Sequence, residues 1–303
     1  IPFNKTTLGE EEKQAIGKVI DSGWVAMGSV TEEFETKFAE YVGAKHAVFV
    51  DSGTSALFLA LKAMNPEGAK GVLVPSLTFT STAEVLVHAG YIPHFVDVDR
   101  ETFCLDVLDN TVASIPVHLL GNRAKSEAGI YDSAHRIEKD DVKGSNALWC
   151  YSFYATKNMT TVQGGMIATN NEEAAKWLKK ARDHGLSKGT KERYKDGKWD
   201  YSIDFVGWRE KSDDVHAAIG IEQLKKLPWM TEQRNKHVRT YNELLGLNRT
   251  GNHLYPVLVS DRAAFMKQMH DKGIQVSVHF LPLHKMEAYK QYPIGDLTNT
   301  EYL

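Results

Sequence analysis

Two rhythms of apolar positions alternate along the chain, and their order predicts the architecture. Residues 31–42 set Phe34, Phe38 and Tyr41 at helical spacing. The unbroken run Ala47-Val48-Phe49-Val50 then reads as a short buried strand, and residues 56–63 as a helix. Gly71-Val72-Leu73-Val74-Pro75 predicts a second strand, followed by a Ser/Thr-rich turn and a helix around 83–88. Further strands are predicted over 92–98, 114–119, 129–132, 147–153 and 165–169, the last after a Gly-Gly pair. A helix is expected over 172–183 and a polar, Lys- and Gly-rich loop over 187–204. An amphipathic helix at 214–226 continues beyond Pro228 as a polar helix through 245. From His253 a small unit is expected: strand 254–259, helix 261–272, strand 274–280. Strands alternating with helices argue for an α/β fold with a largely parallel central sheet flanked by helices. The division falls into a large domain at 1–226 and a smaller C-terminal α/β domain at 227–303.

Composition narrows the function classes. The 303 residues suffice for a sizeable core, and 42% apolar with 25% charged residues is ordinary for a soluble globular chain. A net charge of -3 gives no basic field, so no nucleic-acid partner is expected. No apolar run approaches the roughly 20 residues that span a bilayer, and Ile1–Lys5 lacks the pattern of a signal peptide. A cytoplasmic protein without membrane contact is the expectation. Cys104 and Cys150 are far apart and lack metal-ligand spacing, so they read as buried thiols, and no metal site is expected.

Four features sit at strand-to-loop junctions, where α/β enzymes place their sites. Ser52-Gly53-Thr54-Ser55 joins a strand to a helix; such a turn binds an anion through free N–H groups, or simply caps the helix. Phe79, on a polar loop after a strand, lies against a planar ligand or enters the core. Asp132 ends a strand in Tyr131-Asp132-Ser133-Ala134-His135, where a carboxylate holds a heteroaromatic nitrogen protonated or caps a helix. Lys157 follows a buried strand in Tyr151-Ser152-Phe153-Tyr154-Ala155-Thr156-Lys157-Asn158, before Gly164-Gly165. A partly desolvated lysine forms imines, whereas a solvated loop lysine does nothing special. Neither the P-loop nor the dinucleotide-binding glycine pattern occurs.

In this order the features resemble the sugar aminotransferases of the DegT/DnrJ/EryC1/StrS family, which have the type I aminotransferase fold. The resemblance covers most of the chain. It includes Gly23-Trp24 to Gly28, Phe34-Glu35, Ser52 to Leu57, Pro75 to Phe79, Pro116 to Asn122 and Asp132 to His135. It continues through Tyr151-Ser152-Phe153 to Lys157-Asn158, Arg182-Asp183-His184-Gly185, Ala217 to Gly220 with Gln223-Leu224, and Val278 to His284.

The resemblance implies pyridoxal 5'-phosphate as cofactor, with Lys157 its covalent anchor and then the general acid/base. Asp132 would pair with the pyridinium nitrogen, His135 approach the ring's phenolic oxygen, and Phe79 stack on the ring. Gly53, Thr54 and Ser152 would bind the phosphate. A homodimer with shared sites is implied, the family's usual Asn being replaced here by Arg209, which would reach the partner's phosphate. L-glutamate is the implied donor and a nucleotide-linked keto-deoxysugar the acceptor, with Trp24, His279 and His284 as substrate residues. The spacing of His279 and His284 looks like that of relatives aminating C4 of 4-keto-6-deoxyhexoses. A C3-aminating enzyme and a non-catalytic cofactor-binding regulator are the alternatives. The segments before Ile115, between Asn122 and Gly129, near Leu247–His253, and the C-terminal part are shorter than in the family.

Overall fold

The layering of the molecule follows from the direction in which successive strand residues point. The computed structural model describes residues 1–65, 71–105, 113–189 and 200–303. Strands β1 (His46–Val50), β2 (Gly71–Pro75), β3 (Ile92–Val96), β4 (Ile130–Asp132), β5 (Leu148–Ser152) and β6 (Gly165–Thr169) are set among helices. These are α1 (Glu10–Asp21), α2 (Ser29–Val42), α3 (Gly53–Met64), α4 (Ser81–Ala89) and α5 (Glu172–Ala181). Side chains alternate between the two faces of a strand. Val48, Val50, Cys150 and Ile167 therefore enter one core with Leu59 of α3 and Leu86 of α4. Phe49, Trp149, Tyr151 and Met166 enter a second core with Phe34 and Phe38 of α2. A sheet covered on both faces explains why its strands read as unbroken apolar runs.

β6 runs antiparallel to β1 and β5, whereas β4 is parallel to β5 and β2 to β3. Parallel bridges from Leu73 to Ser114 and from Val117 to Asp132 join the two groups of strands. The spatial order is β1-β6-β5-β4, then residues 114–117, then β2-β3. The sheet is mostly parallel, as expected, and β6 is its exception. The strand predicted over 114–119 is reduced to those two bridges: Pro116 has no N–H to give, and the chain turns away in a 3-10 turn at Leu119–Gly121.

The C-terminal part departs further from expectation. Helix α6 (Asp214–Leu245) is continuous through Pro228, so the division expected after residue 226 falls inside it. Helix α7 (Arg262–Asp271) is found where predicted, and a short α8 (Thr298–Tyr302) follows. The strands predicted at 254–259 and 274–280 are not formed. Val257, Leu258 and Val259 are exposed, and a strand without a hydrogen-bonded neighbour has no reason to persist. The polar stretch at 187–204 falls in part, at 190–199, outside the described residues. Cys104 and Cys150 are buried free thiols, as predicted. No helix of the described residues is long and apolar enough to cross a membrane.

Candidate active site

One end of the strands collects most of the predicted residues. Val50 at the end of β1 and Ser152 at the end of β5 both pair with Gly165, the first residue of β6. A cavity of about 350 Å³ opens there. Gly53, Thr54, Ser152 and Lys157 line it, together with Phe79, Asp132, His135 and His279.

Close packing shapes the end of the cavity beside α3. Ser52 caps that helix, its hydroxyl accepting from the Ser55 N–H at 3.0 Å, so the capping alternative is realised for this residue. Gly53 and Thr54 form the first turn, where N–H groups have no partner within the helix and favour an anion. A Cβ on Gly53 would fall 2.8 Å from Cβ of Ser152, and one on Gly165 only 2.2 Å from the Ser52 carbonyl oxygen. Those two glycines let the helix start, β5 and β6 approach one another.

Asp132 and Lys157 supply the ionisable pair. Asp132 is buried, and its carboxylate accepts from the Thr82 hydroxyl at 2.8 Å and the Ala134 N–H at 3.0 Å. Thr78 Oγ1 lies 3.0 Å from Thr82 Oγ1 and donates to it, since the Thr82 proton is spent on Asp132. Burial pushes the carboxyl of Asp132 up, against the opposing pull of Ala134, Thr82 and Lys157. Burial also pushes the Lys157 ammonium down to about 8, with Asp132 opposing. Lys157 sits on a clasped loop: the Phe153 N–H donates to the Gly164 carbonyl at 2.8 Å and the Thr161 N–H to that of Phe153 at 3.0 Å.

The remaining wall is aromatic. Phe79 is 53% exposed, enough to offer a ring face, with its centroid 5.7 Å from that of Phe280. His135 is buried, and its Nδ1 accepts from the Leu120 N–H at 3.4 Å, which leaves the proton on Nε2. Burial, reinforced by Lys157, holds this imidazole neutral. His279 stacks on Phe3, with centroids 5.3 Å apart and planes 8° apart.

Three predicted residues lie elsewhere. Arg209 is exposed and donates to the Lys211 carbonyl at 2.9 Å. His284 is held outside the cavity, its Nδ1 2.7 Å from the Ser76 hydroxyl and its Nε2 2.7 Å from a Glu301 carboxylate oxygen. Trp24 lines a separate, more open groove with Lys18 of α1 and Glu33 of α2. Conversely, Phe3, Thr78, Gln163, His253 and Phe280 line the cavity and Thr82 supports it, without having been singled out from sequence. Their local patterns are undistinguished; only a His followed by the apolar Leu254-Tyr255-Pro256 marks the position of His253.

Known proteins share this fold. The model of the DegT/DnrJ/EryC1/StrS aminotransferase family matches residues 6–303. The spore coat polysaccharide biosynthesis protein SpsC of Bacillus subtilis is 34% identical over 97% of this chain and 86% of its own. A DegT DnrJ EryC1 StrS aminotransferase from Brucella abortus superposes with a TM-score of 0.82 at 28% identity, covering 96% of this chain and 87% of that one. Spr1654 from Streptococcus pneumoniae, described as a sugar aminotransferase and solved in its PMP-form, gives 0.84 at 25% identity over 96% and 88% of the two chains.

Proposed function

The chain belongs to the DegT/DnrJ/EryC1/StrS aminotransferase family, and on that premise we propose that it aminates a keto-deoxysugar carried on a nucleotide. L-glutamate is the donor in this reading, and C4 of a 4-keto-6-deoxyhexose the acceptor carbon. The chain is an aminotransferase dependent on pyridoxal 5'-phosphate, as its family is. Similarity to SpsC and to Spr1654 supports a sugar as acceptor. The observation that carries the reading is the burial of Asp132 and Lys157 in one cavity beside the start of α3.

The residues present fit the cofactor. Gly53 and Thr54 offer N–H groups, and Ser152 a hydroxyl, to a phosphate that the N-terminus of α3 favours. Asp132, raised by burial while alone, would ionise beside a protonated ring nitrogen and hold that proton in place. Phe79 would cover one face, and His135 would donate from Nε2 to an oxygen of the ring. When bound, the cofactor supplies a carbonyl for amine attack and an electron-withdrawing ring. Lys157 is in part neutral near pH 8. Its amine would therefore serve as the nucleophile that anchors the cofactor and, when free, as the base that moves a proton at the donor's Cα. Such positioned proton transfer contributes about 10²–10⁴-fold. His279 lies on the cavity wall; the C4 reading rests on its spacing from His284.

Purified protein with pyridoxal phosphate, L-glutamate and a panel of nucleotide keto-sugars should yield one amino-sugar, identified by mass and NMR. Lys157→Ala should remove the cofactor's visible band and all turnover. A Lys157→Ala variant that transaminates at the parent rate, or a panel that gives no amino-sugar, would refute the reading.

A further inference from the structure

His253 lines the cavity, and nothing in the chemistry above uses it. Backbone contacts fix its place. Its N–H donates to the Leu120 carbonyl at 3.0 Å, and that of Leu254 to the same oxygen at 3.3 Å. Glycines permit this approach: a Cβ on Gly251 would fall 2.6 Å from the Leu120 carbonyl oxygen, and one on Gly121 2.6 Å from the Asn252 nitrogen. Asn252 pins the segment from its side chain, with bonds to Glu138 at 2.9 Å and Asn235 at 3.1 Å. Leu120, whose N–H serves His135, therefore anchors both histidines, and their ring centroids are 4.6 Å apart.

Nε2 of His253 is the ring nitrogen left to meet a ligand in the cavity, because Nδ1 is enclosed with no hydrogen-bond partner among the described residues. Such a group costs folding free energy, and a phenyl ring would fill the same space without the cost. Packing alone therefore explains the ring and not its nitrogens. Burial, reinforced by the charges of Lys157 and Arg234, keeps the imidazole neutral, with one donor and one acceptor. His279 on the same wall is also held below its ordinary range, first by burial and then by Lys157. Among the described lining residues Lys157 is the one cation, and no arginine is present. A carboxylate only accepts and wants cations, whereas a hydroxyl both donates and accepts, as a neutral imidazole does.

We propose that His253 is a further substrate-binding residue that hydrogen-bonds a hydroxyl of the acceptor's sugar ring. The inference rests on the functional reading above and deepens it. It is tested on the cofactor-loaded enzyme by following the two half-reactions separately in the parent, His253→Phe and His253→Gln. The probes are L-glutamate for the first half and thymidine- and uridine-diphospho-4-keto-6-deoxyglucose for the second. His253→Phe should melt no lower than the parent, and its acceptor KM should rise about tenfold more than its donor KM. His253→Gln, which keeps a donor and an acceptor, should recover part of that loss. Calorimetric titration with the same nucleotide sugars should show the same order of affinities. Equal losses in both halves, an unchanged acceptor KM, or a His253→Phe chain that no longer folds would overturn the proposal alone. A parent protein that runs neither half would overturn the functional reading and this inference with it.

Discussion

Lys157 is an amine that its surroundings hold partly uncharged, and this has a measurable consequence. A folded value of about 8, against the usual 10.5, makes roughly a tenth of the amine nucleophilic at pH 7 and half at pH 8. The rate at which cofactor-free protein captures pyridoxal phosphate should therefore climb through pH 8 and level off above about pH 9. A rate still rising steeply at pH 10 would mean an ordinary, solvated lysine. Thr82 offers a second test, because its hydroxyl is a donor to the enclosed Asp132 carboxylate at 2.8 Å. Thr82→Val keeps the shape and removes the bond, so the carboxyl rises further. Stability should fall by about 1–3 kcal/mol in urea unfolding, with kcat reduced as well; an unchanged midpoint and kcat would show the bond to be idle. The apolar runs before Asp132 and Lys157 marked them as strand-end positions, and only the resemblance gave them roles. Thr82 was not marked: its partner is 50 residues away in sequence, and nothing local separates it from Thr80.

At the level of elements, several positions carrying the family resemblance serve packing. Gly220 of α6 lies against the Phe34 ring of α2, where a Cβ would come within 2.5 Å. Arg182 is buried in an ion pair with Glu35 and donates to the Phe49 carbonyl at 2.6 Å, which ties the end of α5 to α2 and β1. Asp214, the first residue of α6, holds the start of α2 by accepting from the Gly28 N–H at 2.7 Å and from the Thr31 N–H and hydroxyl at 2.9 and 2.7 Å. Asp214→Ala leaves those donors enclosed and should cost about 2 kcal/mol, read as a lower melting temperature. A loss below about 0.5 kcal/mol would show that water replaces the carboxylate. The central strands and long helices were legible because each satisfies its own periodicity against a neighbouring layer. The strands expected at 254–259 and 274–280 failed because alternation specifies a face and not a partner. His253 was hidden for the same reason, since the turn at Leu120 and not a sheet fixes that segment.

On the scale of the whole molecule, Arg209 stands outside the cavity, and the resemblance implies that it would serve a second copy. Mixing Lys157→Ala protein, inactive alone, with weakly active Arg209→Ala protein should restore a fraction of activity in mixed dimers if Arg209 reaches the other copy's phosphate. No recovery after subunit exchange would show that Arg209 does not act across the dimer. The single reversed strand, β6, has a mechanical effect. Reversal turns the connection that carries Lys157 into a hairpin whose two roots, Ser152 and Gly165, face each other in the sheet. A parallel connection would have sent the chain over a helix and returned it at the far edge. Lys157 instead rides on a short arm rooted at both ends in the most enclosed of the described strands, so its side chain can swing while its base stays still.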